Sequence, residues 1–430
     1  MLERRHPIPV EEAVELVMQH RKAGSKETIS ITDSYDRSIA EPIIATEPIP
    51  SFDKSPYDGF ALRSNDIKSA SRDNPIRLEV IEHIGAGQVP QKEIGENQAT
   101  RIMTGAQIPN GADCIAMFEI CQTIETDGKD FIEIKRSLSK GENIIQEGSE
   151  VQKGSILVKP GTVINPGVKA LLATFGHAEL AVAKKPVVGI LATGSELLEV
   201  HEPLEPGKIR NSNASMVAAQ ILRAGGEYRY FGKLSDTFDP SYQAMIAALD
   251  EVDYLITTGG VSVGDFDLMP DLYQKLEAKV LFNKIQMRPG SVTTVAVMGE
   301  KLLFGLSGNP SACYVGFELF VRPIMQYALY HSQPYLRSIR AELAVDFPKA
   351  NPFTRFVRSM LDYEDGKMKV NLAGIDKSNV VSSLANTDSL MILPGGTRGF
   401  RKGTMVDVLL LNDKAGQEHF EVPHKRSNKG

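Results

Sequence analysis

The segment richest in reactive groups is Thr257-Thr258-Gly259-Gly260-Val261-Ser262-Val263-Gly264-Asp265-Phe266-Asp267. Its glycines let the backbone turn tightly and come close to a ligand. The Ser262 hydroxyl and the Asp265 and Asp267 carboxylates follow at once. Similar chemistry recurs in Thr193-Gly194-Ser195-Glu196, in Ser235-Asp236-Thr237, in Arg288-Pro289-Gly290-Ser291 and in Ser307-Gly308-Asn309-Pro310. Another loop acid, Asp58, stands far upstream in Ser55-Pro56-Tyr57-Asp58-Gly59-Phe60. Carboxylates that converge on one crevice repel one another unless a cation lies among them. Hard oxygen ligands suit Mg²⁺, which keeps several waters and bridges to phosphates. The glycine N–H groups and the N-terminus of the helix after Pro310 would hold an anion, with Arg288 as a nearby positive charge. The residues therefore point to a Mg²⁺-dependent reaction on a phosphate ester.

Each loop has a plainer explanation. A single Asp after a strand is more often a helix cap than a ligand, and both Asp265 and Asp239 fit that role. Recurrence in five loops is what favours a site. Other chemistries lack their residues. There is no Gly-x-x-x-x-Gly-Lys-Ser/Thr phosphate loop and no Gly-x-Gly-x-x-Gly opening a helix. The eight histidines avoid these loops, which disfavours zinc hydrolysis and histidine-assisted nucleophiles. Cys313 has apolar neighbours and reads as packing.

The elements that must position these loops alternate. Apolar runs at 186–192, 228–234, 253–256, 280–285 and 302–306 read as strands. Helices fall at 216–222, 242–249 and 268–276, with another after Pro310. Asn211-Ser212-Asn213 offers caps and Gly225-Gly226 a stop. This order predicts a doubly wound, mostly parallel α/β sheet over residues 186–330, with all five polar loops on its carboxyl edge, where open α/β sheets bind ligands. Elsewhere residues 10–22 predict an amphipathic helix. Residues 75–136 and 338–412 predict β structure, as strands at 76–80, 99–103, 114–120 and 131–135, then 356–358, 368–372, 390–393 and 405–411. Residues 168–175 form a further predicted helix.

At 430 residues, 42% hydrophobic and 24% charged, the chain is ordinary globular material of more than one domain. A net charge of −6 without a basic stripe argues against nucleic acid as partner. No apolar run is long enough to cross a membrane and no signal-peptide core is present, so a cytoplasmic setting is expected. Three cysteines supply neither a disulfide framework nor a zinc pattern.

Together these motifs resemble the molybdenum insertases, or molybdopterin molybdenumtransferases, a family that includes the gephyrin E domain. The resemblance rests on Thr193-Gly194-Ser195-Glu196-Leu197, residues 257–267, Arg288-Pro289-Gly290 and Gly305-Leu306-Ser307-Gly308-Asn309-Pro310. It extends upstream through Ser55-Pro56-Tyr57-Asp58-Gly59-Phe60-Ala61 and Arg101-Ile102-Met103-Thr104-Gly105-Ala106. Downstream it takes in Arg355-Phe356-Val357-Arg358 and residues 378–393. It implies an elongated homodimer of four-domain subunits. Residues 1–50 and 140–185 would be the linker and dimerisation part, and 51–139 an inserted β domain. The α/β molybdopterin-binding domain would span 186–330, the C-terminal β domain 335–415 and a polar tail 416–430. The α/β domain would resemble the molybdopterin adenylyltransferases, and the cleft would face the Asp58-bearing domain of the partner subunit. Substrates would be adenylylated molybdopterin and molybdate; AMP would leave as molybdenum reaches the dithiolene.

By the same resemblance, Asp58, Glu196, Asp236 and Asp267 would be catalytic, the last three holding Mg²⁺. Thr104, Thr193, Gly194, Ser195, Gly259, Gly260, Ser262, Gly264, Asp265, Ser307, Gly308, Asn309 and Pro310 would bind the pterin nucleotide. Arg288, Ser291 and Arg355 or Arg358 would bind molybdate, and Ser378 would bind substrate; for Arg355 and Arg358 a plain surface-charge role is equally open. The chain departs from the family's Lys-Pro-Gly-Lys-Pro at Arg288-Pro289-Gly290-Ser291-Val292, where one cation becomes Arg and the other is lost. It also has Ser307 for a common proline and Glu150 where Asp is frequent. Two alternatives follow from the same fold. One is a molybdopterin adenylyltransferase using MgATP, which would not need the β segments. The other is a non-catalytic pterin-binding scaffold, which would have no reason to keep the acids. An adenylyltransferase handing over its product would be the expected physical partner.

Overall fold

The computed structural model describes residues 6–235, 237–260, 268–349 and 351–422. They form two compact units. One comprises the described residues up to Glu41, Pro160–Lys169 and those from Glu179 onward; the other comprises Pro42–Lys159 and Ala170–Ala178.

At the centre of the first unit is a six-stranded sheet in the order Glu227–Lys233, Val187–Ala192, Tyr254–Thr258, Lys301–Leu306, Thr294–Met298, Lys279–Phe282. The first four strands are mutually parallel. Tyr254–Thr258 is buried at every position, as a run without polar alternation requires when helices cover both faces. Successive side chains alternate between those faces. Ile190, Ile256 and Phe304 join a core with Val217 and Ile221 of the helix Ser212–Arg223. Leu191, Leu255 and Leu303 join one with Met245 and Leu249 of Phe238–Glu251 and Leu272 of Met269–Lys275.

Two expectations need correction. Thr294–Met298 is an antiparallel strand that the sequence reading passed over; it forms a hairpin with Lys301–Leu306 around Gly299, whose φ is +58°. Lys279–Phe282 pairs antiparallel with Thr294–Met298. Two reversals bring it back to the direction of the parallel strands, so its carboxyl end still opens on the site edge. Asp239 is no cap: Thr237 takes the N-cap position without a side-chain bond, and Asp239 lies in the first turn. Asn211 does cap its helix, its side chain accepting from Ala214 N at 3.1 Å.

In the C-terminal part, strands Thr354–Glu364, Lys367–Leu372, Ser338–Leu343, Met405–Leu410 and Ser389–Leu393 pair in that order. Ser389–Leu393 also pairs with Thr354–Glu364, closing the ring around Val357, Val370, Met391 and Val408. The short strand Met287–Arg288 leaves the α/β sheet and joins this barrel, with Arg288 in register with Arg355. The helix Val10–Met18, shorter than the 10–22 predicted, buries Val10, Val14 and Val17 in the α/β core.

The second unit holds a six-stranded sheet ordered Cys114–Met117, Gly59–Leu62, Gln98–Ile102, Ile76–Ile84, Lys129–Ile134, Cys121–Thr126. Gly59–Leu62, part of the loop expected around Asp58, is a wholly buried strand. The expected 114–120 strand stops at Met117, gives a single 3₁₀ turn, and restarts as Cys121–Thr126.

Candidate active site

Three strand-end loops of the α/β sheet are tied to one another by backbone bonds. Thr193 donates to Thr258 O from its N–H at 2.9 Å and its hydroxyl at 3.2 Å, and Gly259 N donates to Leu306 O at 2.9 Å. The tie needs glycine at 259, which turns with φ +90°. A Cβ there would sit 2.6 Å from Thr193 O and 2.7 Å from its Oγ1, inside any tolerable contact. Gly260 follows at φ +61° with the same hydroxyl at 2.8 Å. The close approach expected of these glycines is therefore first to a neighbouring loop.

These loops line a cleft of about 820 Å³. Of the residues expected at the site, Thr193, Gly194, Ser195, Glu196, Gly259, Gly260, Ser307, Gly308, Asn309 and Pro310 all border it. Glu196 is exposed at the rim, and its carboxylate makes no ion pair among the described residues. Lys208 holds the loop beneath it, donating from Nζ to Ser195 O at 2.6 Å. The sequence reading missed Asn213, which lines the cleft, donates to Gly308 O at 2.9 Å and leaves its buried Oδ1 without a partner among the described residues. It was read only as a possible cap; as the second residue of the helix Ser212–Arg223 it sits in the first turn, facing the cleft.

A second cavity, about 580 Å³, adjoins the first and shares Val292, Ser307, Asn309 and Asn379 with it. Arg288, Ser291, Arg355, Arg358 and Ser378 line it. Strand pairing sets Arg288 beside Arg355. Neither Arg355 nor Arg358 is a plain surface charge. The Arg355 side chain is 14% exposed; it donates from Nη1 to Asp376 at 3.0 Å and keeps a buried Nε without a partner among the described residues. Arg358 is 4% exposed, and its guanidinium donates to the carbonyls of Ile375, Lys377 and Val380 at 2.9, 3.2 and 3.3 Å. Arg358 thus holds the loop that carries Ser378.

That loop also alters the expected anion site at the helix Pro310–Gly316. Its Ser311 N–H donates to Ser378 O at 3.0 Å, and the Ala312 and Cys313 amides return to Asn309 O. Pro310 has no N–H to offer. The helix end secures the loop, and the donors for an anion come from side chains.

Asp58 and Thr104 meet in the second unit. Thr104 gives Asp58 Oδ1 two bonds of 2.7 Å, from its N–H and its hydroxyl. The backbone bond first, then the hydroxyl, hold the Asp58 carboxyl below its ordinary value. Thr104, expected to touch substrate, orients the acid in this structure. Asp236, Ser262, Gly264, Asp265 and Asp267 lie outside the described residues. Among the described residues no three His, Cys, Asp or Glu side chains gather as a metal site, and no helix is long and apolar enough to cross a membrane.

The whole chain is similar to proteins of one kind. Residues 8–176 match the MoeA N-terminal region (domain I and II), 189–327 a probable molybdopterin binding domain, and 340–411 the MoeA C-terminal region (domain IV). The molybdopterin molybdenumtransferase of Bacillus subtilis (strain 168) is 57% identical over 97% of both chains. That of Staphylococcus aureus (strain COL) is 48% identical over 98% of this chain and 99% of its own. A crystal structure of the molybdopterin biosynthesis MoeA protein of Pyrococcus horikoshii matches with a TM-score of 0.83 at 28% identity, covering 94% of this chain and 99% of that one.

Proposed function

We propose a reaction for this chain on one premise: it belongs to the molybdopterin molybdenumtransferase family. It is a transferase of molybdenum cofactor biosynthesis, acting on molybdopterin and molybdate. In the finer reading, the pterin arrives adenylylated, the phosphate anhydride is cleaved with release of AMP, and molybdenum passes to the dithiolene. The observation that carries this reading is the pair of adjoining cavities with a common wall at Ser307 and Asn309. One has the volume and the glycine-walled floor for a pterin nucleotide. The other is cationic and small, fit for an oxyanion held by fixed donors. An adenylyltransferase would have no use for the second.

The chain's residues divide the work. The 193–196 and 259–260 loops and residues 307–310 hold the nucleotide end. Arg288, Ser291, Arg355 and Ser378 hold molybdate, Arg355 offering its free Nε. The donor set fits Mg²⁺, which needs only one or two carboxylates beside substrate phosphates. Glu196 borders the cleft next to the hydroxyls of Thr193 and Ser195, and Asp236 and Asp267 would complete the set. When bound, Mg²⁺ neutralises charge that builds on the departing phosphate. Asp58, held ionised by Thr104, acts on the cleft of the partner in a homodimer. Three free thiols support residence in the reducing cytoplasm. The test is AMP release by Glu196→Gln from adenylylated molybdopterin. A loss of a hundredfold or more with the fold intact is expected; wild-type turnover by that variant rules out the assignment.

A further inference from the structure

A third cavity, about 270 Å³, lies away from the cleft. It forms where the N-terminal segment, the end of the helix Ser212–Arg223, the helix Arg322–Ala328 and the segment after Met405–Leu410 come together. Its wall is rich in cations: Arg37, Lys185, Arg223, Arg322 and Lys414, with His331 and the buried Ser38. The two acids on the wall are spoken for. Asp36 pairs with Lys414, and Asp413 pairs with Arg337 at 3.2 Å.

The remaining charges do not balance. Glu318, fully buried behind the wall, is the only carboxylate among the described residues that pairs with Arg223 and Arg322. Its Oε1 takes Arg223, while Oε2 has only the Arg322 Nε at 4.0 Å and no hydrogen bond. Arg322 is 8% exposed and makes one hydrogen bond among the described residues, Nη1 to Pro334 O at 3.1 Å. Glu318 is thus the one carboxylate in contact with both guanidiniums, Asp413 adding only a longer-range attraction to Arg322, although a buried charge is costly unless it is matched. Lys185, half-buried at the wall, has neither ion pair nor hydrogen bond among the described residues. About two positive charges therefore stand uncompensated around a polar space. His331 feels the excess. Burial first, then Arg322, push its pKa down to about 4, so it faces the space as a neutral ring bonded to Ser38 Oγ at 2.9 Å.

We propose that this cavity is a second anion site, which takes one small tetrahedral dianion of the phosphate, sulfate and molybdate type between Lys185 and Arg322. Its volume equals that of roughly nine waters, room for such an ion with part of its hydration shell and too little for a pterin nucleotide. The ion would tie together two stretches of chain far apart in sequence, and because it binds only the folded protein it would raise the melting temperature with its concentration.

The experiment is calorimetric titration of the full chain with sodium phosphate, sulfate and molybdate, each against chloride at equal ionic strength, together with a melting curve. It is run on wild type, on Arg288→Ala to weaken binding in the strand-end cavity, and on Lys185→Met. Arg288→Ala should keep a one-to-one oxyanion event and the rise in melting temperature. Lys185→Met should weaken that event at least tenfold while leaving the molybdate dependence of turnover unchanged. A molybdate response without one to phosphate or sulfate would narrow the ligand; equal responses would point to any tetrahedral dianion. An event that disappears in Arg288→Ala, or persists unchanged in Lys185→Met, or never exceeds the chloride control, overturns the proposal. As a second readout, the His331 ring resonances should shift on oxyanion addition; unmoved resonances at saturation also overturn it.

Discussion

Replacing Arg358 by methionine keeps most of the side-chain volume and removes every donor. The guanidinium serves three carbonyls of the 375–380 loop, at 2.9, 3.2 and 3.3 Å. Hydrogen bonds from charged donors contribute about 1.5–3 kcal/mol each. Two of these three are long, and the loop is solvated on its outer side, where Ile375, Lys377 and Asn379 are exposed. Water would therefore replace part of what is lost, and the net destabilisation should be about 2–4 kcal/mol. The loop would then lose its hold on Ser311, whose N–H donates to Ser378 O and whose hydroxyl donates to Val380 O at 3.0 Å. Ser378 would drift from the oxyanion cavity. Loss of one well-placed bond, about 1.4 kcal/mol, is tenfold in affinity, so the molybdate KM should rise about tenfold with little change in kcat. Urea unfolding gives the stability, and hydrogen exchange at the Ser311 amide reports the loop. Arg358→Lys should rescue little, since one ammonium cannot span three carbonyls. The reasoning fails if Arg358→Met loses molybdate binding while the Ser311 amide stays protected. In that case the guanidinium would touch the anion directly.

Other predictions are simpler. Gly259→Ala should destabilise by about 1–3 kcal/mol through a non-glycine residue at φ +90° and lower activity by displacing Thr193, with Gly260→Ala close behind; chemical denaturation and turnover check both. Thr104→Val should raise the pKa of Asp58 by removing its hydroxyl bond while the backbone bond remains, measurable by carboxyl NMR, and Asp58→Asn should abolish turnover without unfolding the chain. His331 carries its lowered pKa, about 4, against 6.5 unfolded. The unfolded chain binds the proton first, so stability should be fully present above pH 6.5 and fall by roughly 3 kcal/mol as pH drops to 4; His331→Gln should flatten that window.

The parallel heart of the α/β sheet could be read from the sequence because buried strands appear as uninterrupted apolar runs, as at residues 254–256, bounded by glycine. Its hairpin was missed for a different reason: Thr294–Met298 is apolar enough for a strand, but the turn at Met298-Gly299-Glu300 carries a weak signal. Gly59–Leu62 was masked by the chemistry of its neighbours, Asp58 and Tyr57. At the site, the loop residues were found where expected because each follows a strand. The roles of Arg358, Thr104 and Asn213 were not legible. They depend on which carbonyl or carboxylate lies opposite, a long-range fact that spacing does not encode. Likewise the helix after Pro310 looked free to bind an anion until the 375–380 loop proved to occupy it.

Purified protein, adenylylated molybdopterin and Mg²⁺ are mixed with and without molybdate, and both AMP and the metal content of the pterin are followed. The account predicts AMP release that depends on molybdate, one metal gained per AMP, and a loss of both in Arg288→Ala at low molybdate. AMP release without metal transfer, or metal transfer indifferent to Arg288, would contradict the assignment of the two adjoining cavities.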